Sequence, residues 1–347
     1  MIDPIHDRKE TEKAIEWLEK HYERTFDPEF IPAGSLDEAL RLLQEYEGKA
    51  RLLAGGLDVM GLMKGSILFP AALINIKPIE RLKYMSATAD GVRIGALTRI
   101  KEIERSELIA RRFPMLAEAA SLVASPHVRN MASLAGNLCQ ETRCWYYRRR
   151  PDTGNAFDCL RKGNSNVCHA KGGENQYHAV MGYDRCVSVC PSDMAVALSA
   201  MDAKVRTMSP SGGRTIPVEQ LYGEMGPLLG KDEIITSVFV PEGSPEKIQA
   251  FVKFRVRKTI DFAIVSAAVS CTLKDRKIEK ARVFLGGVSP VPYRSRRAEE
   301  LMIGEPVTPA LAEKAGEAAA SEAKPLSKNE YKVQLIKVMV KRAVIGE

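Results

Sequence analysis

Six of the seven cysteines lie between Cys139 and Cys190, and the seventh, Cys271, stands alone in an apolar stretch. Cys144, Cys159, Cys168 and Cys186 follow one another at separations of 15, 9 and 18 positions, with Cys139 and Cys190 flanking them. Four thiolates drawn from a stretch without apolar periodicity can bind zinc tetrahedrally or hold an iron–sulfur cluster. The run contains no CxxC pair, so spacing alone leaves a metal, a cluster or free thiols open. His169 and His178 are alternate donors. A chain this long has no need of disulfide staples, and clustered thiols in a reducing compartment serve metal or redox chemistry.

Three other stretches carry candidate chemistry. In Leu53-Ala54-Gly55-Gly56-Leu57-Asp58, two adjacent glycines let the backbone turn tightly and point N–H groups into one concavity, which suits a pyrophosphate. It is neither GxGxxG nor a Walker loop, and a bare β-turn is the alternative. Val128 to Asn137 gathers small residues around a glycine. Ala132, Ser133, Ala135 and Gly136 admit a flat ligand, and Ser133 and Asn137 offer polar contacts; a capped loop is the alternative. In Lys253 to Asp261, strand alternation puts Lys253, Arg255 and Arg257 on one face, suited to an anionic ligand or flavin, or else to a charge-protected edge strand.

The elements that must position these stretches are legible in part. Residues 4–24 carry Ala14, Ile15, Trp17, Leu18 and Tyr22 at helical spacing, an amphipathic N-terminal helix. Ser35 to Glu38 forms a capping box that starts a second helix with apolar Ala39, Leu40, Leu42 and Leu43, and Gly48 stops it. A short buried strand, residues 50–54, runs into the first glycine turn. Residues 71–98 are strand-like, and residues 101–124 are helical with an interruption at Pro114. Residues 139–190 lack a core-forming pattern, so either they are a disordered insertion or something other than a hydrophobic core organises them. Periodicity returns with a capped helix at Ser192 to Leu198. From about residue 233 the pattern is mostly strand, and after Pro309 it is helical. Strands followed by helices give an α+β lobe.

With 347 residues, two or three packed lobes are expected. A hydrophobic content of 45% and a charged content of 27% exclude disordered, collagen-like and mucin-like chains. The apolar runs are too short to span a bilayer. The net charge of +7 is dispersed, and no nucleic-acid function follows from it. The opening MIDPIHDRKETEK has no basic start followed by an apolar core, so no secretory signal is expected and the expected location is cytoplasmic.

Taken together, these motifs resemble the FAD-binding medium subunit of the molybdenum hydroxylase family, the group of xanthine dehydrogenase and carbon monoxide dehydrogenase. The resemblance runs from about residue 25 to the C-terminus. Ala54 to Asp58 is similar to the family's AGGTD loop, with Leu57 in place of threonine. Arg129 to Leu138 is similar to RNxASxGGN, with Ala135 in place of a glycine. Pro191 to Ala195 matches a segment whose aspartate, here Asp193, sits near the flavin, and Lys253 to Asp261 matches a late lysine-arginine-aspartate strand. The long stretch between Asn137 and Ser192 resembles the 4-hydroxybenzoyl-CoA reductase subgroup, whose medium subunit carries an extra [4Fe–4S] cluster.

The resemblance implies an α+β fold: a two-lobed FAD-binding domain followed by a CO-dehydrogenase-flavoprotein C-terminal domain. The expected divisions are a helical extension over 1–25, FAD lobes over 26–85 and 86–230 with the insertion at 139–190, and a C-terminal domain over 231–347. It also implies that Leu53, Ala54, Gly55, Gly56, Leu57, Asp58, Val123, Arg129, Ser133, Gly136, Asn137, Asp193, Ile235, Lys253 and Arg257 bind FAD. Cys144, Cys159, Cys168 and Cys186 are the implied cluster ligands. No catalytic residue is expected. The expected function is electron transfer through FAD and the [4Fe–4S] cluster, which lie between partner subunits and an external carrier such as ferredoxin. One partner is a large molybdenum-cofactor subunit, acting on an aromatic acyl-CoA, an aldehyde or an N-heterocycle. The other is a small [2Fe–2S] subunit, and the whole is expected as a dimer of heterotrimers. Direct reduction of NAD by the flavin, or a zinc-stapled scaffold with a degenerate flavin site, are the alternatives.

Overall fold

A computed structural model describes residues 27–148, 157–163, 165–244 and 246–346. The helix expected over residues 4–24 lies outside the described residues.

The first unit is a three-stranded parallel sheet in the order Glu29–Pro32, Ala72–Asn75, Ala50–Leu53. Parallel neighbours need crossovers, and two helices supply them. Helix Leu36–Glu45 begins at Ser35, whose Oγ accepts from Glu38 N at 3.1 Å. Glu38 reaches back one residue further than a capping box requires, to Gly34 N at 2.7 Å. The helix buries Leu36, Ala39, Leu40, Leu42 and Leu43 against the sheet strands. The second crossover, Leu57–Lys64, starts directly at the glycine turn. That helix had no signature in the sequence reading.

The second unit is a five-stranded antiparallel sheet in the order Met85–Thr88, Gly91–Gly95, Ile234–Pro241, Lys204–Ser209, Gly212–Pro217. Helices Ile100–Arg105, Glu107–Arg112 and Pro114–Ser121 share its core with helix Asp193–Ala200. Pro114 breaks the helical stretch as expected, because it can begin a helix but not continue one. A second break at Ser106, which caps the next helix through Ile109 N, was not foreseen.

The third unit is an antiparallel sheet in the order Lys247–Phe254, Val265–Lys274, Lys277–Gly286, Tyr293–Arg294. Helices Arg296–Met302, Pro309–Ala320 and Tyr331–Ile345 cover one face. The expected strand through Asp261 is corrected here: it ends at Phe254, whose register partner Val265 is the last one available. Residues beyond Phe254 form a loop closed by Arg257 and Asp261, so Lys253, Arg255 and Arg257 do not share a strand face.

The insertion is also corrected. Its pattern is sparse, yet Val180 and Met181 are buried in the core of the third unit. Among its described residues, regular structure is limited to helix Trp145–Arg148 and the 3-10 turn Leu160–Lys162. Side chains from elsewhere hold it. Glu224 Oε1 accepts the successive N–H groups of Asp184, Arg185 and Cys186 at 2.7, 2.8 and 3.0 Å. Asn329 donates to the carbonyls of His178 and Ala179, and Lys332 donates to those of Tyr177 and His178.

Candidate functional site

The two glycine-bearing stretches face each other. After strand Ala50–Leu53 the chain turns through Gly55 and Gly56. Gly56 has φ +76°, a left-handed conformation that favours glycine. Gly55 is required for a different reason: a Cβ there would lie 2.2 Å from Met131 O, so the first turn rests directly on the backbone of the second. The second stretch, expected as a ligand-admitting loop with a capped loop as the alternative, is two short helices, Pro126–Met131 and Leu134–Leu138. Ser133 caps the latter by accepting from Gly136 N at 3.2 Å.

Between the turns lies a cavity of about 720 Å³, within the range of cofactor pockets. Its wall includes Ala54, Gly55, Gly56, Leu57 and Asp58 from the first turn. Val123, Ser133, Gly136 and Asn137 come from the second region, with Asp193 and Lys253 beyond them. The remaining expected FAD residues are elsewhere. Leu53 is buried under the turn with Met63 and Leu73, and Ile235 is in the second sheet's core. Arg129 is buried and donates to Glu104 Oε2 at 2.7 Å and to Val123 O at 2.8 Å. Arg257 is largely exposed and tied to Asp261. Arg51, Arg143, Arg161, Lys231 and Phe262 also line the wall and were not singled out in the sequence. Arg51 and Arg143 sit within seven residues of a turn glycine, whereas the signal of Arg161, Lys231 and Phe262 is spatial, since they lie farther along the chain.

The polar groups at the wall are tied into the fold. Ser192 Oγ donates to Asn137 Oδ1 at 2.7 Å while accepting from Ala195 N, which locks the second stretch onto helix Asp193–Ala200. Asp193 and Lys253 form a buried ion pair at 2.6 Å, and Lys253 also donates to Leu122 O. Burial raises the Asp193 carboxyl above its ordinary range, opposed by the Lys253 ammonium. Two non-glycine residues on the wall, Ala124 and Ile260, hold positive φ of 41° and 67° and are joined by an Ile260 N to Ala124 O bond of 3.1 Å. A left-handed β-branched residue is a strained one, of the kind that concentrates at ligand sites. The wall fits FAD in volume, in its glycine-turn amides and in the cations available for a diphosphate.

The four expected cluster cysteines occupy one neighbourhood. Cys144 and Cys159 share an apolar cluster with Leu62 and Tyr147. Burial pushes the Cys144 thiol up to about 12. The Cys168 segment is clipped to the Cys186 segment on both sides, by Lys171 Nζ to Asp184 O at 2.8 Å and by Arg185 to Asn166 Oδ1 at 3.4 Å. The His169 ring lies 5.2 Å from Phe157 and 6.3 Å from Tyr146, neighbours of Cys159 and Cys144. His178 Nε2 is 3.2 Å from Cys144 Sγ. No cysteine is in a disulfide. Among the described residues, no three His, Cys, Asp or Glu side chains converge as ligands of a single ion. A tetrahedral zinc with Zn–S bonds of about 2.3 Å would need such convergence. A cube that takes one thiolate per corner lets its ligands stand farther apart. Cys190 is buried and Cys139 is half-buried at the cavity wall, and burial pushes both thiols up to about 12.

A dinucleotide-sized cavity between two glycine turns, backed by an antiparallel sheet and followed by an α+β unit, defines a flavoprotein. The chain matches the family described as "FAD binding domain in molybdopterin dehydrogenase" over residues 24–243, and "CO dehydrogenase flavoprotein C-terminal domain" over residues 249–346. It belongs to this family, and the resemblance seen in its motifs holds at that level. It is 26% identical to the glyceraldehyde dehydrogenase medium chain of Sulfolobus acidocaldarius, covering 92% of this chain and 98% of that one. It is 33% identical to the FAD-binding subunit of an aldehyde oxidoreductase from Escherichia coli, covering 76% and 81%. Among solved structures, carbon monoxide dehydrogenase from Hydrogenophaga pseudoflava superposes with a TM-score of 0.72 at 26% identity, covering 92% and 96%. The α+β fold expected from the sequence is the observed one. Among the described residues no helix is long and apolar enough to cross a membrane.

Proposed function

We propose that this chain is the electron-transfer medium subunit of a molybdenum-dependent oxidoreductase, and that it carries a [4Fe–4S] cluster beside its FAD. FAD, when bound, exchanges electrons singly or in pairs, and a cluster exchanges them singly. The protein's own residues set the conditions. The Gly55–Gly56 turn and the Ser133–Asn137 stretch supply amides and hydroxyls for the dinucleotide. Lys253, held by Asp193, supplies a fixed positive charge at the wall. Cys144, Cys159, Cys168 and Cys186 would ligate the cluster, and Glu224 fixes the backbone at Cys186.

The observation that supports the cluster is the linking of cysteine-bearing segments from an insertion with little regular structure: Cys144 lies with Cys159, and the Cys168 segment is clipped to the Cys186 segment. Relatives named as medium chains support a large and a small partner subunit; a molybdenum cofactor on the large one, [2Fe–2S] clusters on the small one and a dimer of such trimers belong to the same reading. A ferredoxin-type carrier would take electrons one at a time from the cluster. The likeness to 4-hydroxybenzoyl-CoA reductase belongs to the same reading.

The test is Cys159→Ser in the purified complex. The expected result is loss of the broad iron–sulfur absorption and of about four irons per chain, with flavin retained. A colourless zinc-containing wild type favours the scaffold reading. Rapid flavin reduction by NADH favours the NAD reading. Flavin loss with the cluster intact overturns the ligand assignment.

A further inference from the structure

We propose that Asp58 couples FAD binding to the order of the cysteine-bearing insertion. Asp58 is the second residue of helix Leu57–Lys64, immediately after the glycine turn, and it lines the cavity. Its oxygens are engaged with the insertion. Oδ2 accepts from Glu141 N at 2.7 Å, and Oδ1 meets Arg148 Nη2 at 2.7 Å and Arg143 Nη2 at 2.9 Å. One backbone N–H and two guanidinium groups neutralise a carboxylate that is mostly shielded from solvent. Charge-assisted bonds of this kind are strong and directional.

The partners extend the junction in both directions. Arg148 also donates to Thr142 O at 2.8 Å, which fastens the start of the insertion. Arg143 places its guanidinium 4.9 Å from the centroid of the Phe262 ring, which also lines the cavity. Glu141 Oε2 pairs with Arg161 at 2.8 Å, two residues past Cys159, and Arg161 donates on to Glu224 O at 3.1 Å. Asp58, Glu141, Arg143 and Arg161 all line the cavity, whereas Arg148 does not. The residues that form the wall are therefore the residues that fasten the insertion.

The consequence is thermodynamic. Ordering the glycine turn around a dinucleotide orders Asp58, and Asp58 then holds residues 141–148 without further loss of its own freedom. Coupling of this sort is reciprocal: if bound FAD steadies the insertion by some factor, a steadied insertion tightens FAD by the same factor. The inference does not depend on which metal group the cysteines carry.

The test is amide hydrogen exchange of the purified complex, with FAD removed and restored, reading peptides from 139–148. Helix Pro309–Ala320 serves as the reference for intact folding. In the wild type, FAD should slow exchange in 139–148 about tenfold, within the roughly 5–150-fold range of site–site coupling. Asp58→Ala should bring that ratio close to one, and Asp58→Asn should fall between. Arg148→Met, which alters no residue of the wall, should also abolish the ratio and should weaken FAD by the same factor. If Asp58→Ala does not fold, Arg148→Met decides. A wild type without FAD-dependent protection, or an Arg148→Met variant that keeps it in full, overturns the proposal.

Discussion

A Gly55→Ala chain should purify nearly free of flavin. The added methyl would lie 2.2 Å from Met131 O and 2.9 Å from Met131 C, and both are backbone atoms that no rotamer change can move. The two turns must separate, and the cavity wall separates with them. Overpacking of this kind costs about 1–3 kcal/mol, and a clash against backbone belongs at the upper end. At 1.4 kcal/mol per decade that is roughly a 100-fold weaker dissociation constant for FAD. Gly56→Ala is the informative comparison. Its cost is conformational, about 1–2 kcal/mol for an L-residue in the left-handed region. Its nearest neighbour in space is the movable Leu53 Cδ1 at 3.3 Å. Gly56→Ala should therefore lose less flavin than Gly55→Ala. Titrating both apo-variants with FAD by fluorescence quenching checks the order. If Gly56→Ala is the weaker binder, contact between the turns is not what shapes the site.

What could be read from the sequence depended on how far along the chain the deciding contact lay. Ser35, Ser133 and Ser192 each cap a helix through an N–H three residues on, and such signals survive in any short window. The glycines of the first turn are local as well, although the reason for Gly55 is not, since it lies in Met131. The alternation of Lys253, Arg255 and Arg257 is a genuine period-2 pattern. It fails to be a strand because strand Val265–Lys274 offers no partner beyond Val265, and a pattern without a partner stays a loop. Asp58 is a short acidic residue after a glycine turn, and its partner Glu141 is 83 positions away. Among the cysteines, the spacing stated a donor set but not its grouping. The contacts that gather the segments come from Lys171, Arg185 and Glu224, which carry no signature of their own, and from the ring of His169, which the sequence marked only as an alternate donor.

The most distant of these contacts is also the most vulnerable. Lys332 is completely buried in helix Tyr331–Ile345, and its ammonium donates to three carbonyls: Tyr177 O and His178 O at 3.0 Å, and Gly287 O at 2.7 Å. Two of the acceptors belong to the insertion and one to the turn after strand Lys277–Gly286, so a single side chain joins them across 155 positions. Lys332→Met keeps the volume but leaves Tyr177 O and Gly287 O without their donor, while His178 O keeps Asn329. At about 1–3 kcal/mol for each unsatisfied group, the chain should lose at least about 2 kcal/mol. The insertion should become the first segment cut by protease, while flavin absorbance persists. The wild type should also show a pH signature. Burial pulls the Lys332 ammonium down to about 7 from an ordinary value of 10.5. Between those values the unfolded chain binds more protons than the native one, so Lys332 makes native stability rise with pH across that window and leaves it level below about pH 7. The difference in urea midpoint between wild type and Lys332→Met, measured from pH 6.5 to 9, should therefore widen as pH increases. A difference that narrows would mean that the three carbonyls hold the ammonium more strongly than burial opposes it. An insertion that stays protease-resistant in the variant would mean that Asn329 and Glu224 suffice to hold it in place.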